Sequence, residues 1–171
     1  LSANGVLASG ARALAEAGLP PGLLYLDLLR NGIGPAGARA LAEAFPAGLR
    51  HLDLAYNVLH AAGGQSVAQA LPRLSELQHL NLRGNGLGPE AIGALAEALP
   101  RLSGLQRLDL AFNQIGSEGN INWFASRIRF SLTASGSSPT WAARFRLEKA
   151  PVLTPPFLRV VSAFTCAGAV H

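Results

Sequence analysis

Apolar and polar positions follow one pattern around an asparagine at four places along the chain. The segments are LLYLDLLRNGIG (23–34), LRHLDLAYNVLH (49–60), LQHLNLRGNGLG (77–88) and LQRLDLAFNQIG (105–116). Each follows L-x-x-L-x-L-x-x-N-x-(I/L/V), and a truncated copy, LSANGV, opens the chain. The leucines of L-x-L point to one side of an extended strand, and the residues between them point to the other. Each segment therefore predicts a short strand with one apolar face.

A second pattern follows each asparagine. Its copies are GARALAEA (10–17), GARALAEA again (37–44), SVAQAL (66–71) and IGALAEAL (92–99). Ala, Leu and Glu favour helices, and Gly or Pro stands at most ends of these segments. Each repeat therefore predicts a strand, a turn and a helix.

The repeat period is set by the asparagines, which follow one another at intervals of 26 to 28 residues. They are Asn4, Asn31, Asn57, Asn85 and Asn113. One unit cannot bury its leucines alone, but stacked units form a continuous core, and each asparagine amide can pair with backbone groups of neighbouring turns. Strands stack more closely than helices, so the array bends with the strands inside. We predict an α/β solenoid over residues 1–119, with about four full repeats, a curved parallel sheet inside and helices outside in a right-handed superhelix.

The motif LxxLDLxxNxIG followed by GxxALAEAL, with a period near 28 residues, resembles the leucine-rich repeats of the ribonuclease-inhibitor-like subclass. That subclass includes ribonuclease inhibitor, NOD-like receptors and the Ran GTPase-activating protein. The resemblance covers residues 1 to about 119 and implies a non-enzymatic scaffold that binds a protein or peptide through its concave face. GTPase activation of the Ran type and a sensor segment of a NOD-like receptor are the alternatives. No cap precedes Leu1, so we expect a fragment of a longer array.

Candidate partner-binding residues are the strand positions that point away from the core and residues that come just past each strand. They are Tyr25, Asp27, Arg30, His51, Asp53, Tyr56, His79, Asn81, Arg83, Arg107, Asp109 and Phe112. Tyr and Arg are enriched at interface hot spots. The Asp that recurs in LDL also suits a crowded scaffold position. A scaffold role and a partner-binding role therefore both stay open for the column of Asp27, Asp53, Asn81 and Asp109.

Catalytic and metal-binding sites are not predicted. His51, Asp53 and His79 share a strand face, but no fourth ligand or activated nucleophile accompanies them. The glycine-rich turns lack the GK[ST] ending of a phosphate-binding loop. We therefore expect no enzyme activity, no cofactor and no small-molecule substrate.

The net charge of +4 comes from one part of the chain. Residues 1–119 contain eight Arg and nine acidic residues, a net of −1, whereas residues 120–171 contain five Arg, one Lys and one Glu, a net of +5. A nucleic-acid partner is therefore not expected for the array. No apolar run is long enough for a membrane helix, and the lone Cys166 favours a reducing compartment, so we expect a cytoplasmic protein.

The repeat pattern stops after Gly119, where a helix is due. Three explanations stay open. In the first, residues 120–132 form a cap in which Trp123 and Phe124 cover the leucine core. In the second, the tail is a basic adaptor. In the third, residues 133–171 are not a selected sequence, for example intron read-through or a shifted frame, and are poorly ordered. Residues 127–133 alternate like a strand.

Overall fold

The computed structural model describes residues 1–114 and the backbone of four short strands further along the chain. In the first part the helices are α1 (Leu7–Glu16), α2 (Gly34–Ala44), α3 (His60–Ala70) and α4 (Gly88–Ala98). The strands are β1 (Tyr25–Asp27), β2 (His51–Asp53), β3 (His79–Asn81) and β4 (Arg107–Asp109). Single 3-10 turns follow α3 at Leu71–Arg73 and α4 at Leu99–Arg101. None of the described helices is long and apolar enough to cross a membrane.

The predicted strand–turn–helix repeat is confirmed, but the helices begin three to six residues earlier than the Ala- and Leu-rich segments suggested. The sequence pairs Gly34-Pro35 and Gly88-Pro89, which suggested turns, lie in the first turn of α2 and α4. Proline is tolerated there because the first N–H groups of a helix have no partner inside the helix. Gly-Pro therefore marks a helix start in these repeats.

Strands β1 to β4 form one parallel sheet in register. The central leucines Leu26, Leu52, Leu80 and Leu108 are aligned across it, as are the residues on either side of them. Helices α1 to α4 pack side by side in the same order. These elements form the predicted α/β solenoid: the first three full repeats contribute β1 and α2, β2 and α3, and β3 and α4, whereas α1 belongs to the truncated opening copy and β4 to the fourth repeat.

The remaining strands lie in the tail. They are β5 (Ser131–Ala134), β6 (Ala143–Arg146), β7 (Glu148–Lys149) and β8 (Leu158–Arg159). Strand β6 pairs antiparallel with β4 and β5, and β7 pairs with β8. The strand predicted over residues 127–133 overlaps β5. Trp123 and Phe124, and with them most of the predicted cap, lie outside the described residues.

The core lies between the sheet and the helices and consists mainly of leucine. Residues Leu28, Leu54, Leu82 and Leu110 follow the four strands, and all are fully buried. Burying one such side chain stabilises the fold by about 1.5–3 kcal/mol. Because each repeat contributes the same leucines, the core extends through the stack without interruption.

The helices approach one another closely through small residues. A Cβ atom added to Gly64 of α3 would lie 2.6 Å from the Cβ of Ala91 in α4. One added to Gly37 of α2 would lie 2.9 Å from the Cβ of Ala11 in α1. These glycines weaken the helix propensity of their own segments. They are needed because the backbones leave no room for a side chain.

The asparagines form a hydrogen-bonded ladder inside the stack. The Oδ1 atom of Asn57 accepts the backbone N–H of Asn31 at 2.9 Å, and Oδ1 of Asn85 accepts that of Asn57 at 2.8 Å. The Nδ2 group of Asn57 donates to the carbonyls of Leu28 and Leu54 at 2.8 and 2.9 Å. Asn31, Asn57, Asn85 and Asn113 are all buried. The ladder therefore satisfies backbone groups that the leucine core would otherwise leave unpaired.

Candidate functional site

The side of the sheet that faces away from the helices carries the residues selected from the sequence. We call it the open face. Register pairing places Tyr25, His51, His79 and Arg107 in one column across the strands, and Asp27, Asp53, Asn81 and Asp109 in the next. Beyond the strand ends lie Arg30, Tyr56, Arg83 and Phe112. The predicted set is therefore one continuous surface built by four repeats.

The first column, which we call the Tyr–His–Arg row, is partly stacked. The rings of Tyr25 and His51 are parallel to within 12°, with centroids 4.0 Å apart. The His51 and His79 rings lie 5.5 Å apart with a 45° tilt. Burial lowers the pKa of His79, and the positive charge of Arg107 and the neighbouring His51 lower it further. His79 is therefore biased towards its neutral form.

The second column, which we call the acidic column, is bonded within the protein. Oδ1 of Asp27, Asp53 and Asp109 accepts the backbone N–H two residues further along the chain, at 2.9 Å in each case. Asn81 makes the same bond at 3.1 Å. These contacts fix the chain where it leaves each strand, as Asp and Asn side chains commonly do at turns. The acidic column therefore has a scaffold role.

The second oxygens of the acidic column are also engaged. Oδ2 of Asp53 accepts a hydrogen bond from Nδ2 of Asn81 at 2.8 Å, and Oδ2 of Asp27 accepts one from the Ser2 hydroxyl at 2.7 Å. Burial by itself would raise the pKa of Asp27. The hydrogen bonds from Leu29 N–H and the Ser2 hydroxyl, together with the nearby His51, favour the ionised carboxylate and lower the pKa of Asp27. Asp27 thus stays ionised as part of the framework.

Arginine and aromatic side chains alternate along the ends of the strands. The Arg83 guanidinium carbon lies 4.3 Å from the Phe112 ring centroid and 5.9 Å from that of Tyr56. The Nε group of Arg83 donates a hydrogen bond to the Tyr56 hydroxyl at 2.7 Å. The guanidinium carbon of Arg30 lies 5.1 Å from the centroid of the same Tyr56 ring. We call Arg30, Tyr56, Arg83 and Phe112 the aromatic–arginine cluster. Cation–π contacts of this kind stabilise an exposed cluster by about 0.5–1 kcal/mol each.

The cluster depends on Gly84, which the sequence reasoning did not select. Gly84 occupies the position that Arg30, Tyr56 and Phe112 hold in the other repeats, and all four have φ between 55° and 65°. A Cβ at Gly84 would lie 2.5 Å from Cδ1 of Tyr56. Because Gly84 has no side chain, the ring of Tyr56 can occupy this space. Arg83 then lies between the rings of Tyr56 and Phe112. Aligning the four repeats reveals that Gly84 replaces a larger residue. It does not reveal that the Tyr56 ring occupies the space that a side chain at Gly84 would need.

Metal-binding clusters are absent from the described part of the chain. Within residues 1–114 and the four tail strands, no three His, Cys, Asp or Glu side chains could hold a metal ion. An open recess on the helix side is lined by residues that include Arg39, Glu43 and Arg73. Arg73 donates to the Ala42 carbonyl at 2.6 Å, near the C-terminus of α2. That contact suits a helix end, where carbonyl groups lack partners inside the helix.

Comparison with known proteins identifies the repeat. The family model described as leucine rich repeat matches residues 23–42, 49–68, 75–96 and 104–120. No curated protein matches the chain.

Proposed function

Because the chain carries four leucine-rich repeats, we propose that it is a protein–protein interaction module that binds its partner through the open face. Leucine-rich repeats generally mediate protein–protein interaction. The specific observation in support is the aromatic–arginine cluster. It places side chains of four successive repeats in contact on one surface, with Phe112 still 43% exposed.

Two physical features of the cluster suit partner binding. Tyr and Arg are among the residue types that are enriched at the hot spots of interfaces. Arg83 is held by Tyr56 and Phe112 and lies 3.8 Å from the Asp109 carboxylate, so less side-chain freedom is lost when a partner docks. A surface ordered in advance retains more of the energy of its contacts.

We also propose that the repeats belong to the ribonuclease-inhibitor-like subclass. The support is the LxxLDLxxNxIG motif, the strand–helix alternation and the interval of 26 to 28 residues between asparagines. Neither GTPase activation nor a receptor-sensor role gains a specific observation among the described residues. Both therefore remain predictions.

A capture experiment tests the proposed function. Tyr25 is 58% exposed, so the double variant Tyr25→Ala/Phe112→Ala removes contact area with little loss of core packing. The matched control is Arg39→Ala/Gln65→Ala, which changes two exposed positions on α2 and α3. Partners captured by the full chain from cells that express it should be lost with the first variant and kept with the second. Equal recovery by both variants would contradict the proposal.

A further inference from the structure

The Tyr–His–Arg row has hydrogen-bonding groups that the described protein does not use. Within residues 1–114, the side chains of Tyr25, His51, His79 and Arg107 have no hydrogen-bond partner. The acidic column beside the row is engaged in hydrogen bonds and the Arg83 contact. The hydrogen-bonding groups left without a partner on this part of the surface are therefore mainly donors, and they require acceptors from a binding partner.

Charge along the row changes from one end to the other. Tyr25 is an exposed neutral ring, the two histidines follow it, and the exposed Arg107 is a fixed cation beside His79. His79 lies on β3, between β2 and β4. The charged or titratable groups that neighbour it are His51 and Asp53 on β2, and Arg107 and Asp109 on β4. An anion placed against Arg107 and His79 would offset the repulsion between them.

We propose that the Tyr–His–Arg row binds an acidic peptide segment of the partner protein, an inference that rests on the proposed function. A carboxylate of that segment contacts Arg107 and His79. Neighbouring residues of the segment cover the stacked rings of Tyr25 and His51. The row crosses four strands at about 4.8 Å per step, or about 14 Å in all. That length corresponds to about four residues of an extended peptide.

A carboxylate fits this surface better than a phosphate group does. Within residues 1–114, the open face carries three Arg and three Asp residues, so the formal charge of that part is zero with neutral histidines. Nucleic-acid binding requires several Lys or Arg side chains directed at successive phosphates. Within β1 to β4 a single Arg lies in the row, with Arg146 of β6 as its register partner. The carboxylates of Asp53 and Asp109 lie in the neighbouring column, where they would repel a doubly charged phosphate.

The test uses the full chain and a phage-displayed library of random dodecapeptides. Wild type is compared with Arg107→Glu and with Arg39→Glu, which makes the same charge change at an exposed position on α2. Wild type and Arg39→Glu should both enrich peptides that contain Asp or Glu, and Arg107→Glu should not. For the most enriched synthetic peptide, Arg107→Glu should weaken binding about tenfold or more, the loss of a charge-assisted hydrogen bond. Circular dichroism checks that both variants are folded.

A second readout locates the carboxylate. In NMR titrations of the histidine ring protons, addition of that peptide should raise the pKa of His79, because the bound carboxylate favours the protonated ring. An unchanged pKa of His79, with the peptide bound, would overturn the assignment of the carboxylate to this pair.

The remaining outcomes separate this inference from the proposed function. Enriched peptides that lack acidic residues but lose binding in Tyr25→Ala/Phe112→Ala would overturn the acidic segment and leave the open face as the binding surface. Arg107-dependent binding of a labelled single-stranded oligonucleotide, without any acidic peptide, would also overturn it. None of these peptide outcomes decides against the proposed function, which the capture experiment tests separately.

Discussion

The ring of Tyr56 occupies the space that a side chain at Gly84 would need. A Cβ built on Gly84 lies 2.5 Å from Cδ1 and 2.6 Å from Cε1 of Tyr56, although the two residues belong to different repeats. Tyr56 in this position accepts the hydrogen bond from Arg83, which in turn contacts Phe112. One glycine thus permits contacts among three repeats.

Substitution of Gly84 tests this relationship. Gly84→Ala should destabilise the protein through its left-handed backbone, by about 1 kcal/mol, and by about 1–3 kcal/mol more because Tyr56 must move. Gly86→Ala is the matched control, since its φ of 61° is similar but its nearest contact is 3.4 Å. Urea unfolding measures both. Equal losses of stability would show that the Tyr56 contact contributes nothing.

The asparagine ladder predicts a large loss from one buried amide. Asn57→Ala leaves the N–H of Asn31 and the carbonyls of Leu28 and Leu54 without this partner, and should cost about 3 kcal/mol or more. Asn4→Ala is the control, because Asn4 is exposed and, within residues 1–114, its side-chain amide donates only to the Ser2 carbonyl. Thermal unfolding should show a clear difference between the two variants. Similar melting temperatures would contradict the structural role of the ladder.

The turn after the second strand contains a strained residue. Val58 has a φ of 56° and is 53% exposed, whereas repeats one and three have Gly32 and Gly86 at the same position. A β-branched residue is disfavoured in this conformation. Val58→Gly should stabilise the protein by about 1 kcal/mol, since relief of strain exceeds the entropy that glycine costs. Ala62→Gly, at an exposed position in α3, should instead destabilise it.

Protonation of His79 should make stability depend on pH. Its pKa is lowered in the folded protein from an ordinary value of 6.5, so the unfolded chain binds the proton first as pH falls. The free energy of unfolding should therefore decrease as pH is lowered from above 6.5 through the folded pKa. His79→Gln should reduce this slope, and His60→Gln should leave the His79 contribution in place. Urea titrations from pH 8 to pH 5 measure the free energy of unfolding at each pH. Identical slopes against pH for wild type and His79→Gln would contradict the predicted role of His79.

The repeat could be predicted from the sequence because its signals are local and periodic. Leucine spacing indicates which side of each strand is buried, and the asparagines align the repeats. The columns of the open face follow directly, and the register of Tyr25, His51, His79 and Arg107 confirms that alignment.

Contacts between side chains could not be predicted in the same way. The position of Arg83 between Tyr56 and Phe112 depends on space above Gly84, and that space depends on the left-handed backbone at the strand ends. The acidic column left two interpretations open because its composition suits both a ligand and a turn. Its hydrogen bonds to backbone N–H groups support the scaffold role, and a role in partner binding stays a prediction.

Docking of a protein partner on the open face can be measured in cells by site-specific photo-cross-linking. A benzophenone amino acid is placed at Phe112, on the open face, or at Gln65, exposed on α3. After irradiation in cells that express the protein, position 112 should give discrete protein adducts and position 65 should not. Adducts at position 65 with none at position 112 would contradict the account.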